Sequence, residues 1–271
     1  MTQVLQNRPH LFNAYFAASG VSNQKGTESW EKFVAADHST RPKYLFFTLG
    51  AGEDWLTARI DAFSKVLTEK AGDGLRWEYE LLEEDDHWST PYRTIYRGLL
   101  KYYEDFRPIR FKSLEEFEEK GGLTYLNEHF AKRGDKYNVS KKVHRRTVFS
   151  LLSRAMSENN YPAFENFMNR FGESQLGDWY KWDHWQRFLH RYGQFYLKHN
   201  QVDKALALFK VTREKFPEEA FAYNDLGDGF RAKGLLEEAK TYYEKAVVLA
   251  TAAGDPGLEK YQADLDSLTR K

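Results

Sequence analysis

Three short strand-like runs, two of them apolar and the third rich in aromatic residues, constrain the fold of the first hundred residues more than any other feature. The runs are Asn13–Ser19, Tyr44–Leu49 and Leu75–Leu82, and glycine or proline bounds each of them. Helices are predicted from about residue 54 to 70, between the last two runs, and over Thr94–Phe106. This order of strands and helices predicts an α/β fold, in which helices cover a parallel sheet.

The composition excludes several classes of protein. The 40 lysines and arginines balance the 40 aspartates and glutamates, so net charge gives no reason to expect a nucleic-acid or anionic membrane partner. Without cysteine, the chain has no disulfide, thiolate metal site or cysteine nucleophile. The hydrophobic share of 41% is large enough to bury a core, which excludes a disordered chain. No run reaches the roughly 20 apolar residues of a spanning helix, so no membrane span is predicted.

From Ser113 onward the sequence predicts helices and no strand. Ser113, with Glu116 three residues later, forms the capping-box pattern that opens a charged helix. Gly121 and Gly122 interrupt or end that helix. The basic stretch Lys141–Arg146 then precedes a series of predicted helical hairpins. A solvated helix start explains that stretch better than a nucleic-acid site does, because the chain as a whole is neutral.

The last third contains an internal repeat of 34 residues. The matching pairs are Gly193 with Gly227, Ala205 with Ala239, and Phe209 with Tyr243. This pattern resembles the tetratricopeptide repeat, in which small residues let two antiparallel helices touch. The two units cover about 186–219 and 220–253, and Gly257–Arg270 resembles a terminal capping helix. Thr212 and Thr251 depart from the pattern, which usually has alanine and proline there.

These patterns divide the chain into three predicted regions. Residues 1–107 form the α/β region, residues 108–140 form a connecting helical segment, and residues 141–271 form helical hairpins. Four aromatic residues crowd one segment of the last region, where core packing is a better interpretation than a ligand cage. They are Trp179, Tyr180, Trp182 and Trp185.

Acidic residues and a histidine follow two of the predicted strands, at the point where each strand ends. Glu53 and Asp54 close the sequence TLGAGED after the second run, and His87 lies in EEDDHWSTP after the third. Parallel sheets keep their catalytic groups at this edge, and an acid can hold an imidazole in the tautomer that acts as a base. The alternative is a surface histidine beside four carboxylates, with acids that favour a helix N-terminus.

Residues 9–108 resemble the C-terminal part of the esterase D and enterochelin esterase group of α/β-hydrolases. The segments RPHLFNAYFAASG, KYLFFTLGAGED and EDDHWSTPYRTIYRGLLKYYEDF carry the resemblance. It implies a serine hydrolase of carboxylic esters or thioesters that needs no cofactor. His87 would be the catalytic base and Glu53 the acid that orients it, with Asp54 as the second choice. Family members with helical repeats after the hydrolase part also exist.

The nucleophile that this resemblance requires is missing. The family carries its serine in a G-x-S-x-G-G elbow, and the sequence contains no G-x-S-x-G. The resemblance implies that the elbow, the oxyanion hole and the earlier strands lie upstream of Met1. We therefore interpret the chain as a C-terminal fragment, inactive by itself, with an internal-start gene model and a decayed enzyme as the alternatives. Ser19 and Ser89 are weak substitutes, because an activated serine must face the base.

A second function, from a different class, stays open on the residues alone. The helical hairpins could hold a peptide or protein partner in a protein that performs no catalysis. No metal site is predicted, because His184 and His190 are six residues apart and share no helix face. The first residues, MTQVLQNRPHLF, do not resemble a signal peptide. Since an upstream segment could carry one, localisation is left open, with a periplasmic or secreted protein as the alternative.

Overall fold

The computed structural model describes residues 2–20, 27–176 and 186–268, and it combines a parallel sheet with helices in a mixed α/β fold. The strands are β1 (Ala14–Ala18), β2 (Lys43–Gly50) and β3 (Leu75–Leu82). The helices are α1 (Thr2–Asn7), α2 (Thr27–Ala35), α3 (Thr57–Lys70), α4 (Thr90–Tyr102), α5 (Leu114–Glu119), α6 (Gly122–Tyr137), α7 (Arg145–Ser157), α8 (Tyr161–Leu176), α9 (Gln186–Lys198), α10 (Val202–Lys215), α11 (Ala220–Ala232), α12 (Leu236–Ala253) and α13 (Leu258–Asp266).

The chain forms two compact units. The first comprises Met1–Pro108 and Asn127–Lys142, and the second comprises Ile109–Leu126 and Val143–Lys271. The region boundaries predicted at residues 107 and 140 stay predictions. The aromatic cluster around Trp179 lies outside the described residues, as does His184. Within the described ranges, no helix has both the length and the apolar character needed to cross a bilayer.

The parallel sheet predicted for the first unit is confirmed. The strand order is β1-β2-β3, and both pairs of neighbours run parallel, with Phe16 opposite Phe46 and Phe46 opposite Glu78. The central strand β2 is buried along its whole length, which explains its uninterrupted apolar sequence. Within the described residues, no strand pairs with the outer edge of β1.

Helix α3 presents the predicted apolar face to the core. Ile60, Phe63 and Leu67 are buried there, and Leu56 and Val66 pack against the same cluster. A 3-10 turn over Asp54–Leu56 precedes the helix, so the regular α-helix begins later than the periodicity predicts.

Helix α4 begins at Thr90, four residues before the start predicted at Thr94. Pro91 is the reason, because proline fits the first turn of a helix, where its missing N–H removes no hydrogen bond. The helix ends at Tyr102 and not at Phe106. A Cβ on Gly98 would overlap the ring of Phe16, so the glycine lets α4 approach β1 closely.

Every regular element of the second unit, within its described residues, is a helix. The Ser113 hydroxyl accepts a hydrogen bond from the Glu116 N–H at 3.1 Å, which confirms the predicted cap of α5. Helix α9 packs on α10 and helix α11 on α12. A Cβ on Gly193 would overlap the ring of Phe209, and a Cβ on Gly227 would overlap the ring of Tyr243. The two helix pairs therefore make equivalent close contacts at equivalent positions.

Candidate functional site

The three strands end side by side, and each one is followed by a residue of the candidate site. Ser19 follows β1, Glu53 follows the turn after β2, and His87 lies in the loop between β3 and α4. Because neighbouring parallel strands point the same way, side chains distant in sequence meet at this carboxyl edge.

Backbone hydrogen bonds tie the loops after β2 and β3 together. The Ala51 N–H donates to the Leu82 carbonyl at 3.0 Å, and the Gly52 N–H donates to the Asp85 carbonyl at 3.3 Å. A Cβ on Gly50 would lie 2.5 Å from the Thr90 hydroxyl and 2.6 Å from the Asp85 carbonyl oxygen. Glycine at position 50 therefore allows the loop after β3 to come close to the end of β2.

The structure brings Glu53, and not Asp54, to His87. Glu53 Oε1 lies 2.6 Å from His87 Nδ1. The Glu53 side chain is fully buried, whereas 58% of the His87 side chain is exposed. Asp54 is exposed in the first turn of the 3-10 helix. The buried acid and the accessible imidazole have the arrangement of an orienting carboxylate and a base, although their catalytic roles remain predictions.

The second carboxylate oxygen of Glu53 is held by other donors. Oε2 accepts hydrogen bonds from the Ser19 hydroxyl at 2.6 Å and from the Gly50 N–H at 2.8 Å, with the buried Thr90 hydroxyl 3.4 Å away. Burial by itself raises the pKa of Glu53. The hydrogen bonds from Ser19, Gly50 and His87 outweigh burial and hold the pKa below its usual range. Glu53 is therefore an anion at neutral pH.

An anionic Glu53 fixes the tautomer of the neighbouring imidazole. A carboxylate can only accept, so Nδ1 of His87 must carry the proton in their hydrogen bond. The Nε2 lone pair is then available to accept a proton, and no described residue hydrogen-bonds to it. Two exposed tryptophans flank the ring, since Trp55 and Trp88 have ring centroids 6.4 and 5.9 Å from that of His87.

The two serines considered as substitute nucleophiles have other partners. Ser19 donates its hydroxyl proton to Glu53. Ser89 donates to Asp86 Oδ1 at 3.1 Å and accepts from the Asp86 N–H at 3.0 Å. Among the described residues, neither serine forms a hydrogen bond with His87. The contact between Ser19 and Glu53 was not predicted from the sequence, although the position of Ser19 after a strand placed it at the same edge of the sheet.

Of the remaining candidates, His190 also contacts a buried carboxylate, since its Nδ1 lies 2.5 Å from Asp225 Oδ1, but both residues lie on helices of the second unit and not at the sheet edge. No group of three or more potential metal ligands occurs among the described residues. In the basic stretch, His144 caps α7 by accepting a hydrogen bond from the Arg146 N–H at 3.2 Å, and Lys141 pairs with Asp135. The His144 contact is that of a helix start, whereas Lys141 pairs with a residue near the end of α6.

Comparison with known proteins identifies no relative of this chain. No family model, curated protein or solved structure matches the chain. The hydrolase interpretation therefore depends on the sequence segments quoted above and on the geometry of the site.

Proposed function

We propose that this chain carries the catalytic base and the orienting acid of a serine hydrolase that acts on carboxylic esters or thioesters. One observation supports the proposal most directly. The buried Glu53 carboxylate accepts the Nδ1 proton of the exposed His87 at 2.6 Å, at the carboxyl edge of a parallel sheet. Acid after one strand and histidine after the next is the order of the α/β-hydrolase site.

In this proposal His87 transfers a proton twice in each half-reaction. Its Nε2 takes the proton of a serine hydroxyl while the serine oxygen bonds to the ester carbonyl carbon. The imidazolium then returns that proton to the leaving alcohol or thiol as the bond to the carbonyl carbon breaks. Water replaces the alcohol in the second half-reaction and releases the acid. Glu53 stabilises the imidazolium and holds the ring in the tautomer and orientation that the proton transfers need.

The proposal places the nucleophilic serine on polypeptide outside the 271 residues. Two features of the first unit support additional polypeptide at this sheet. The outer edge of β1 has no partner among the described residues, and such edges invite pairing. Helix α4 also exposes a row of apolar side chains, with Tyr92 79% and Tyr96 65% exposed. Apolar surface of this kind is typically covered by another polypeptide.

The 271-residue protein by itself should not hydrolyse an activated ester. With p-nitrophenyl acetate we expect the same rate for the native chain and for His87→Ala, because the covalent route needs the serine. Release of p-nitrophenolate, followed by absorbance, measures both rates. Turnover at enzymatic rates that depends on His87 would show that a serine within the chain attacks, and would refute this part of the proposal.

The proposed function is tested by the coding sequence upstream of the Met1 codon. We expect an in-frame G-x-S-x-G-G elbow within about twenty codons, followed by the short helix that leads to the first strand. The protein expressed from that lengthened reading frame, here termed the extended polypeptide, should hydrolyse p-nitrophenyl acetate. An in-frame stop codon, or an extended polypeptide whose activity does not depend on His87, would contradict the proposal.

The helical unit supports a second candidate, an interaction protein that binds through tetratricopeptide-like hairpins. The observation that favours it is the equivalent packing of Gly193 on Phe209 and of Gly227 on Tyr243. A stop codon directly upstream of Met1 would favour this candidate over the hydrolase. Both functions are compatible if the extended polypeptide is active and its helical unit binds a peptide.

A further inference from the structure

Ser19 has a backbone conformation that L-residues rarely adopt. Its φ angle is +51°, in the left-handed region, directly after the last residue of β1. Its N–H still donates to the Thr48 carbonyl at 3.0 Å, so the chain turns only after this last link to β2. Residues held in such conformations are concentrated at functional sites, where the surrounding structure enforces them.

The side chain of Ser19 shares the Glu53 carboxylate with His87. Ser19 Oγ donates to Oε2 at 2.6 Å, while Oε1 lies 2.6 Å from Nδ1 of His87. The Gly50 N–H adds a second donor to Oε2 at 2.8 Å. Donors from the ends of two strands thus fix Oε2. The other oxygen, Oε1, then points toward the imidazole of His87.

The hydroxyl of Ser19 also helps to keep Glu53 ionised. Burial of this carboxyl raises its pKa, and the Ser19 hydrogen bond is the strongest of the contacts that oppose burial. The hydrogen bond from His87 adds to the same effect. Without the hydroxyl, Glu53 would protonate at higher pH and would then compete for the role of donor toward His87.

We propose that Ser19 is a positioning residue, whose hydroxyl fixes the Glu53 carboxylate so that Oε1 faces Nδ1 of His87. Its importance for catalysis rests on the proposed function, but the arrangement itself can be measured in the 271-residue protein without a nucleophile. The same hydrogen bond argues against a nucleophilic role for Ser19, because the hydroxyl donates to the Glu53 carboxylate and not to the His87 imidazole.

The test compares Ser19→Gly with a matched control. Glycine accepts the left-handed backbone and removes only the hydroxymethyl group, so the fold should be kept. The control is Asn159→Gly, which replaces a residue of the same φ, +51°, after α7 in the second unit. Carbon-13 NMR of labelled glutamate follows the titration of the Glu53 carboxyl, and Glu53→Gln identifies its resonance.

We expect Ser19→Gly to raise the pKa of Glu53 by about one unit, the equivalent of one charge-assisted hydrogen bond. The proton NMR signal of the hydrogen-bonded Nδ1–H of His87 should broaden or disappear in the same variant. Ser19→Ala should give the same changes, since it also lacks the hydroxyl. Asn159→Gly should leave both signals at their native positions.

Two results would overturn the role of Ser19. One is a Glu53 titration that is unchanged in Ser19→Gly, and the other is a change in Ser19→Gly that Ser19→Ala does not share. The second result would assign the effect to backbone freedom. An inactive extended polypeptide with the predicted titrations would refute the hydrolase function alone, so the two failures are distinguishable.

Discussion

Replacing His87 by alanine should lower the kcat of the extended polypeptide roughly ten-thousand-fold or more, because the base acts in the transition state. Glu53→Gln should cost at least about a hundredfold, since the imidazole loses the charged carboxylate whose Oε1 lies 2.6 Å from Nδ1. Steady-state kinetics with p-nitrophenyl acetate measure both losses. KM should change little, because neither side chain is proposed to bind the ester.

Asp54→Asn is the matched control for Glu53→Gln. Asp54 follows Glu53 directly but is exposed at the start of the 3-10 turn. Replacing its carboxylate by the asparagine amide should therefore leave kcat nearly unchanged. Loss of activity in Asp54→Asn with a fully active Glu53→Gln would exchange the two assignments. If neither variant lost activity, the site would be a serine–histidine dyad without an orienting acid.

Gly227→Ala should destabilise the helical unit by about 2 kcal/mol, against the usual trend for this substitution. In a helix, alanine normally adds up to about 1 kcal/mol of stability over glycine. At position 227 the new Cβ would overlap the ring of Tyr243, which is fully buried and hydrogen-bonded to Asp228 at 2.7 Å. The ring therefore has little freedom to move away.

Gly172→Ala provides the control for that prediction. Gly172 lies within α8, and its added Cβ would meet only the end of the Met168 side chain at an ordinary 3.7 Å. We expect this variant to be as stable as the native chain or slightly more stable. Urea unfolding followed by circular dichroism compares the two, and equal stabilities would refute the close contact between α11 and α12.

The strands could be predicted from the sequence nearly to the residue. The buried central strand β2 is a continuous apolar run, and β3, which is rich in aromatic residues, spans the predicted Leu75–Leu82 without change. The start of α4 could not be predicted as well, because Pro91 follows a polar stretch typical of loops. Only the structure shows that this proline occupies the first helical turn.

The candidate site could be predicted in part. The topology of a parallel sheet brings Glu53 and His87 to one edge, and both positions follow from the strand ends. The physics of the residues does not choose between Glu53 and Asp54, since the choice depends on how the turn enters the 3-10 helix. The contribution of Ser19 depends on a left-handed backbone angle that no local sequence signal encodes.

The protonation of the two ring nitrogens of His87 tests the central claim most directly. Long-range proton–nitrogen NMR correlations on the 271-residue protein distinguish a protonated Nδ1 from a protonated Nε2 in the neutral ring. We predict a protonated Nδ1 and a free Nε2 in the native chain, and loss of this preference in Glu53→Gln. A native chain with its proton on Nε2, or a tautomer that Glu53→Gln does not change, would contradict the account.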